Sequence, residues 1–289
     1  MTETKEMTAK ETVQAILNKR PEVTEQQVLE ALKVERSKTG SLIADETLLR
    51  LMAVRYGVEI PSAPVAEYTL SSNHLVPSLN NITISGRVVA VYPAKAFEGE
   101  KPGKYGSLMI ADRDGLLRVM LWNDKADLVE SGFVKVGHVL RFSHGYTRDA
   151  RNGKVELHIS EKAEVEVDPE DLPQGDYPSI ERFITAIKDV TLQQQSVHLV
   201  GRVKTISPSS KFTRQDQSVG TVLRFTIEDQ TGNGTAVAWN GKAEKLEALL
   251  KPEMEIKLVN AKVKPAPGSG LEVHVDESTY TELSAFPTK

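Results

Sequence analysis

Two stretches close an apolar run with tryptophan and then asparagine, LLRVMLWNDKA at 116–126 and GTAVAWNGKA at 234–243. A tryptophan turned outward is a flat π surface on which a base can stack, and a nearby arginine can neutralise a phosphate. Side chains alternate along a strand, so Leu117, Val119 and Leu121 share one side while Leu116, Arg118, Met120 and Trp122 share the other. An arginine rarely lines a barrel interior, which turns Trp122 outward with Arg118. Core burial is the alternative, since tryptophan is buried on average. Trp239 shares its side with Thr235 and Val237, a weaker contrast, and is placed outward by its alignment with Trp122.

Other chemistries lack their residues. The chain has no cysteine, which excludes disulfides, thiol nucleophiles and cysteine-held zinc. Its six histidines are scattered, with no H-E-x-x-H spacing, and no phosphate loop of the G-x-x-x-x-G-K-[ST] kind occurs. The pairs Asp112/Asp114 and Glu228/Asp229 read as turn residues. No enzyme activity, cofactor or metal is therefore expected. A net charge of −4 argues against a nucleic-acid partner until it is divided along the chain. Residues 161–182 carry eight acidic and two basic residues, whereas 80–160 carry twelve basic and nine acidic, so the acidity belongs to a connector. No apolar run approaches the ~18 residues of a membrane span, and MTETKEMTAK lacks the apolar centre of a signal peptide. The expectation is a cytoplasmic protein with no membrane partner.

The elements that must hold the tryptophans are written twice. GRVVAVYPAKAF at 86–97 matches GRVKTISPSSKF at 201–212, IADRDGLLRVMLWNDKA matches IEDQTGNGTAVAWNGKA, and VELHIS matches LEVHVD. Five strands are expected in each copy, at 82–92, 105–112, 115–122, 138–148 and 154–160, then at 196–206, 219–228, 234–240, 254–264 and 270–276. A short helix separates the third and fourth strands, an order that indicates a five-stranded OB-fold barrel. Before them Val13, Ile16 and Leu17 form a helical stripe, Thr24 is an N-cap with Gln27 three residues on, and Gly57 is a stop. The expected architecture is α+β: a small helical module at 1–62, a linker at 63–80, OB-folds at 81–162 and 183–278 joined by an acidic linker at 163–182, and a tail at 279–289. That linker is read foremost as a solvated tether.

Alternation adds cations to the tryptophan face. Arg224 points outward in TVLRFTIED, and Arg141 and Lys257 do so at aligned positions of the fourth strands. Lys95 and Lys211 precede Phe97 and Phe212 in the loops after the first strands, and Lys264 lies late in the second copy's fourth strand. Tyr146 and Arg148 could line the groove, although a bulge in that strand would reverse their parity. Arg87 and Arg202 suit salt bridges at the barrel rim, and the repeated His158 and His274 read as structural.

With these residues assembled, the chain resembles archaeal replication protein A, a single-stranded DNA-binding protein of replication, repair and recombination. The match rests on SPSSKFTRQDQSVGTV, on the strand-turn-strand ending in tryptophan in both copies, and on SKTGSLIADETLLRLMAVRYGVEI. The resemblance implies that Phe212, Arg214 and Trp239, with Phe97 and Trp122 in the first copy, contact single-stranded DNA. Replication or repair proteins are the partners expected of the helical module, which a protein-interaction reading of the chain would make its docking part. The first copy has FEGEKPGKYG where the family carries Thr-Arg-x-Asp, which shifts phosphate contacts to Lys95, Lys101 and Lys104. The alternatives are an OB-fold interaction scaffold and an RNA-binding module, and the sequence carries no signature of an oligomeric state.

Overall fold

The computed structural model describes residues 8–38, 45–58, 70–99, 101–150 and 153–285, and the chain divides into two units, Met1–Tyr68 and Thr69–Lys289. Residues 39–44 of the helical segment, and the linker prolines Pro61 and Pro64, lie outside the described residues.

The first unit holds three helices, α1 (Ala9–Lys19), α2 (Glu25–Lys38) and α3 (Asp45–Arg55). Thr24 caps α2 as its spacing predicts: its N–H donates to Gln27 Oε1 at 2.9 Å, and the Gln27 N–H donates to Thr24 Oγ1 at 3.4 Å. Ile16 is buried with Val28, Leu48 and Met52, and Val13 and Leu17 pack beside them. The chain leaves α3 through Gly57, whose φ of 77° suits a residue without a β-carbon.

The second unit contains two closed barrels. In the first, β1 (Asn80–Phe97), β2 (Gly103–Ala111), β3 (Leu116–Trp122), β4 (Val139–Asp149) and β5 (Val155–Ile159) close in the order β1-β2-β3-β5-β4-β1. A short α4 (Asp127–Glu130) follows β3, and β6 (Glu164–Val167) pairs with the outer edge of β4. In the second, β7 (Ser196–Ile206), β9 (Val219–Glu228), β10 (Asn233–Trp239), β11 (Met254–Pro265) and β12 (Leu271–Val275) close in the same way. There α5 (Gly241–Leu249) follows β10, β8 (Ser210–Thr213) extends the sheet beside β9, and β13 (Tyr280–Ala285) pairs with β11. The third and fifth strands of each barrel run parallel and their other neighbours antiparallel, which is the OB-fold connection. The alternating apolar residues fill the barrels: Leu117, Val119 and Leu121 are buried with Leu108, Ile110 and Phe142, and Leu223, Phe225 and Ile227 with Ile256 and Leu258.

Both fourth strands carry a bulge. Pairing of β4 with β1 slips between Phe142 and Gly145, where His144 has φ 59°, and β11 slips against β7 between Leu258 and Ala261, where Asn260 has φ 64°. Before the bulge Leu140 and Phe142 point inward; after it Gly145 and Thr147 do. The extra residue therefore sends Tyr146 and Arg148 outward, where unbroken alternation from Phe142 would have buried them.

The acidic connector is not a solvated tether. Its start is β6, hydrogen-bonded to β4, and Arg87 donates to the carbonyls of Gln174 at 2.5 Å and Tyr177 at 2.8 Å farther along. Arg202, the counterpart of Arg87, pairs instead with Glu228 and Glu253 at the barrel rim. Ile180, Phe183 and Ile184 then pack between the barrels, against Val89, Tyr92 and Met109 of the first and Val259 and Tyr280 of the second. Burial of apolar surface fixes the two barrels to each other. Residues 70–79, expected in the other linker, also pack: Leu70, Leu75 and Leu79 join the first barrel's core, and Ser72 donates its N–H and hydroxyl to Asp112. Asp229 receives the N–H of Ile187 at the same place in the second barrel, and both aspartates cap their own turns. Among the described residues no helix is long and apolar enough to cross a membrane.

Candidate nucleic-acid interface

The end of β3 brings five rings together outside the first barrel. Trp122 lies opposite Tyr105 in the β2–β3 register, with ring centroids 5.8 Å apart. Phe97 meets it edge-on at 6.0 Å, and His158 of β5 stacks against it at 5.8 Å. Tyr146, turned outward by the bulge, stacks on His158 at 5.2 Å and carries the Arg148 guanidinium 5.1 Å from its ring centre. Trp122 is half-buried and belongs to neither the barrel core nor the junction cluster. It is a supported surface ring.

The second barrel repeats the arrangement with fewer rings. Phe212 meets Trp239 edge-on at 5.8 Å, Trp239 lies 5.5 Å from His274, and Arg214 sits 5.3 Å from the Phe212 ring centre. Opposite Trp239 stands Val222 instead of a tyrosine, and Lys262 occupies the register of Tyr146 and pairs with Asp276. Asn123 and Asn240, the residues after each tryptophan, have φ 50° and 53°, a region that asparagine tolerates better than most residues. Asn240 Oδ1 accepts from Arg214 Nη2 at 2.5 Å, and Asn123 Oδ1 accepts the Lys104 N–H at 3.3 Å. Each asparagine thus ties its tryptophan to the neighbouring hairpin.

Phe97 and Phe212 are strand residues, not loop residues. Phe97 pairs across the sheet with Gly103, and Phe212 with Gly220, so each ring lies over a position without a side chain. Each indole N–H donates to a histidine, Trp122 to His158 Nδ1 at 3.0 Å and Trp239 to His274 Nδ1 at 3.1 Å. Burial, reinforced by the charge of Arg148, lowers the His158 pKa to about 4, so the ring is neutral near pH 7 and its Nδ1 is able to accept.

The cations divide into two groups. Lys95, Arg148, Lys211 and Lys264 are exposed and form no ion pair among the described residues. Arg141 and Lys257 do recur at aligned positions as expected, but acidic side chains occupy them. Arg141 pairs with Glu166 at 2.9 Å and with Asp171, and Lys257 with Glu181 at 2.9 Å and Glu282 at 3.9 Å. These pairs lie where β6 and β13 join the fourth strands, which corrects their assignment to the tryptophan face. Lys104 is held by Asp127 and Glu130. Arg118 and Arg224 face outward but pair with Glu156 at 3.7 Å and Glu272 at 3.5 Å. Arg118 also stands over the Tyr92 ring at the junction of the barrels. Tyr105 and the hydrogen-bonding role of the two histidines escaped the sequence reading. The repeat of Trp and His in matched order was the available signal.

Comparison with known proteins agrees with the fold. Residues 197–279 match the family described as OB-fold nucleic acid binding domain. A curated relative, Replication factor A of Methanothermobacter thermautotrophicus, is 30% identical over 169 residues, which is 57% of this chain and 21% of the relative. The chain thus spans about a fifth of that relative's length. Among solved structures, a Replication Protein A heterotrimer bound to ssDNA superposes with a TM-score of 0.54 at 18% identity, covering 76% of this chain and 52% of that one, a likeness of fold. The resemblance to archaeal replication protein A read from the sequence is borne out.

Proposed function

We propose that this chain binds single-stranded DNA without catalysis and without strong sequence preference, stacking bases on Phe97, Tyr105, Trp122 and Tyr146 of one barrel and on Phe212 and Trp239 of the other. The observation that carries the reading is the repeated Phe–Trp–His cluster, outside both barrels at matched positions, with Arg148 against the Tyr146 ring in one and Arg214 against the Phe212 ring in the other. Only an unpaired base offers its π face, and every base has one, so stacking selects single strands while tolerating any sequence, at roughly 1–3 kcal/mol per base. Lys95, Arg148, Lys211 and Lys264 supply phosphate neutralisation, which makes affinity fall with salt. The names of the similar proteins, Replication factor A and a Replication Protein A heterotrimer bound to ssDNA, support a place in replication. Because the barrels are joined by an apolar junction, a strand held by one meets the other at a fixed distance, and the pair holds it far more tightly than either alone. The helical unit, with a core of its own, is the part suited to docking replication or repair proteins.

Titration with oligo-dT, read by tryptophan fluorescence at two salt concentrations, tests this reading. Strong quenching that weakens as salt rises is expected. An unchanged signal, with no retention on immobilised single-stranded DNA, overturns it, and tighter binding of oligo-U in a parallel titration assigns the surface to RNA.

A further inference from the structure

Resting on that reading, we propose that His158 and His274 are positioning residues that fix the two tryptophan planes for stacking, each at the centre of a Trp–His–Glu–Arg chain. In the first barrel Trp122 Nε1 donates to His158 Nδ1 at 3.0 Å, His158 Nε2 lies 3.8 Å from Glu156 Oε2, and Glu156 Oε1 lies 3.7 Å from Arg118 Nε. In the second the corresponding distances are 3.1, 3.4 and 3.5 Å, through Trp239, His274, Glu272 and Arg224.

Donor and acceptor rules order the chain. An indole N–H can only donate, so Nδ1 must be the unprotonated nitrogen and the imidazole proton resides on Nε2, which faces the carboxylate. The carboxylate favours that tautomer, and the guanidinium balances the carboxylate's charge. The two arginines come from different strands, Arg118 from β3 and Arg224 from β9, yet each reaches the glutamate two residues before its histidine. Alignment of the repeats alone therefore does not account for the fourth member, and the need to neutralise a largely buried glutamate does. A surface tryptophan without the acceptor would turn about its side-chain bonds, and its face would no longer be set when a base arrives.

The chain's two tryptophans give two indole N–H resonances, one per barrel, which can be followed by nuclear magnetic resonance in the full-length protein. His158→Ala removes the acceptor, while His158→Asn returns an acceptor oxygen near the position of Nδ1. Expected in H158A are faster solvent exchange of the Trp122 indole N–H and a loss of oligo-dT affinity of roughly fivefold to tenfold, the size of one net hydrogen bond. H158N should restore both, and the Trp239 resonance should stay in place throughout. Should H158A not fold, His274→Ala applies the same test to Trp239, because His274 is only half-buried. An indole resonance that does not move overturns the Trp–His hydrogen bond, and one that moves without any change in affinity overturns the positioning role. A wild-type protein that ignores oligo-dT instead defeats the functional reading, while the exchange measurement still decides the hydrogen bond by itself.

Discussion

Phe212 covers Gly220 across the β8–β9 pair so closely that a methyl group on the glycine would meet Phe212 Cε1 at 2.7 Å and Arg214 Nη2 at 2.8 Å. Phe97 covers Gly103 in the same way, at 2.7 Å from its Cζ. Both glycines keep a ring flat on the sheet beside a tryptophan. Gly220→Ala should therefore displace Phe212 and Arg214 without unfolding the barrel, because alanine in a strand is otherwise favoured over glycine by roughly 0.5–1 kcal/mol. Affinity for oligo-dT should fall by up to one base's stacking, ~1–3 kcal/mol, with the melting temperature nearly unchanged. Unaltered affinity in a folded G220A protein would falsify a role for Phe212 as a base platform.

Trp122 and Trp239 allow a sharper separation of core from platform. Truncating a core tryptophan costs about 3–5 kcal/mol of stability. Their rings contact mainly other surface rings, and such edge and stacked contacts are worth only about 0.5–1.5 kcal/mol each. Trp239→Ala should thus lower oligo-dT affinity roughly tenfold or more while thermal unfolding remains cooperative and shifts little. A fall in melting temperature of the size expected for a core cavity, with binding per folded molecule intact, would return the residue to the core.

Five strands of each barrel were legible because an inward face of Leu, Val, Ile and Phe alternates with polar residues. The added strands β6, β8 and β13 were not, since EVEV, SKFT and YTELSA are only 4, 4 and 6 residues long and pair at sheet edges; the Glu–Val alternation of EVEV was hidden in a run of acidic residues that reads as a linker. Phe97 and Trp122 could be placed from parity and repetition, whereas Tyr105, in GKYGS between two glycines, gave no such sign. Parity found that Arg141 points outward but not what covers it, because Glu166 and Asp171 approach from a connector 25 and 30 residues away. Tyr146 depended on a bulge, which a period of two has no means of encoding.

The division of the cations predicts different salt behaviour. Lys211→Glu and Lys264→Glu should each weaken oligo-dT binding and reduce the slope of log affinity against log salt, by roughly 0.7 for each single-strand phosphate that is no longer neutralised. Arg141→Ala should leave that slope unchanged, since Glu166 and Asp171 already neutralise the guanidinium. Equal slopes for wild type and both lysine variants would remove these lysines from the interface.

Ile180 is 3% exposed and comes from the connector, outside either barrel's closing strands. Ile180→Asp buries an unpaired charge in the apolar junction while sparing both barrel cores. Calorimetry should then resolve two barrel transitions where wild type gives one, and affinity for a long oligo-dT should drop more than affinity for one short enough to occupy a single barrel. A single transition in I180D, at the wild-type temperature, would show that the junction does not couple the barrels.

Acid should loosen the fold before the carboxylates titrate. Burial lowers the pKa of both His158 and His198 to about 4, with Arg148 and Lys154 respectively adding to the effect. An unfolded histidine titrates near about 6.5, so between that value and about 4 the unfolded chain binds more protons than the folded one. Stability is therefore complete above about pH 6.5, declines as pH falls, and levels off for these groups below about 4. Glu181, held near 2 by its Ser179 and Lys257 hydrogen bonds against the opposing effect of burial, adds its loss only below its unfolded value of about 4.5. The interval from pH 6.5 to 4.5 thus reports the histidines. His198 Nδ1 accepts the N–H of Asn260 at 3.1 Å, and His198→Asn keeps an acceptor there without a titrating group. Urea midpoints should fall across that interval in wild type and fall less steeply in H198N; parallel curves would mean that His198 does not set the acid sensitivity.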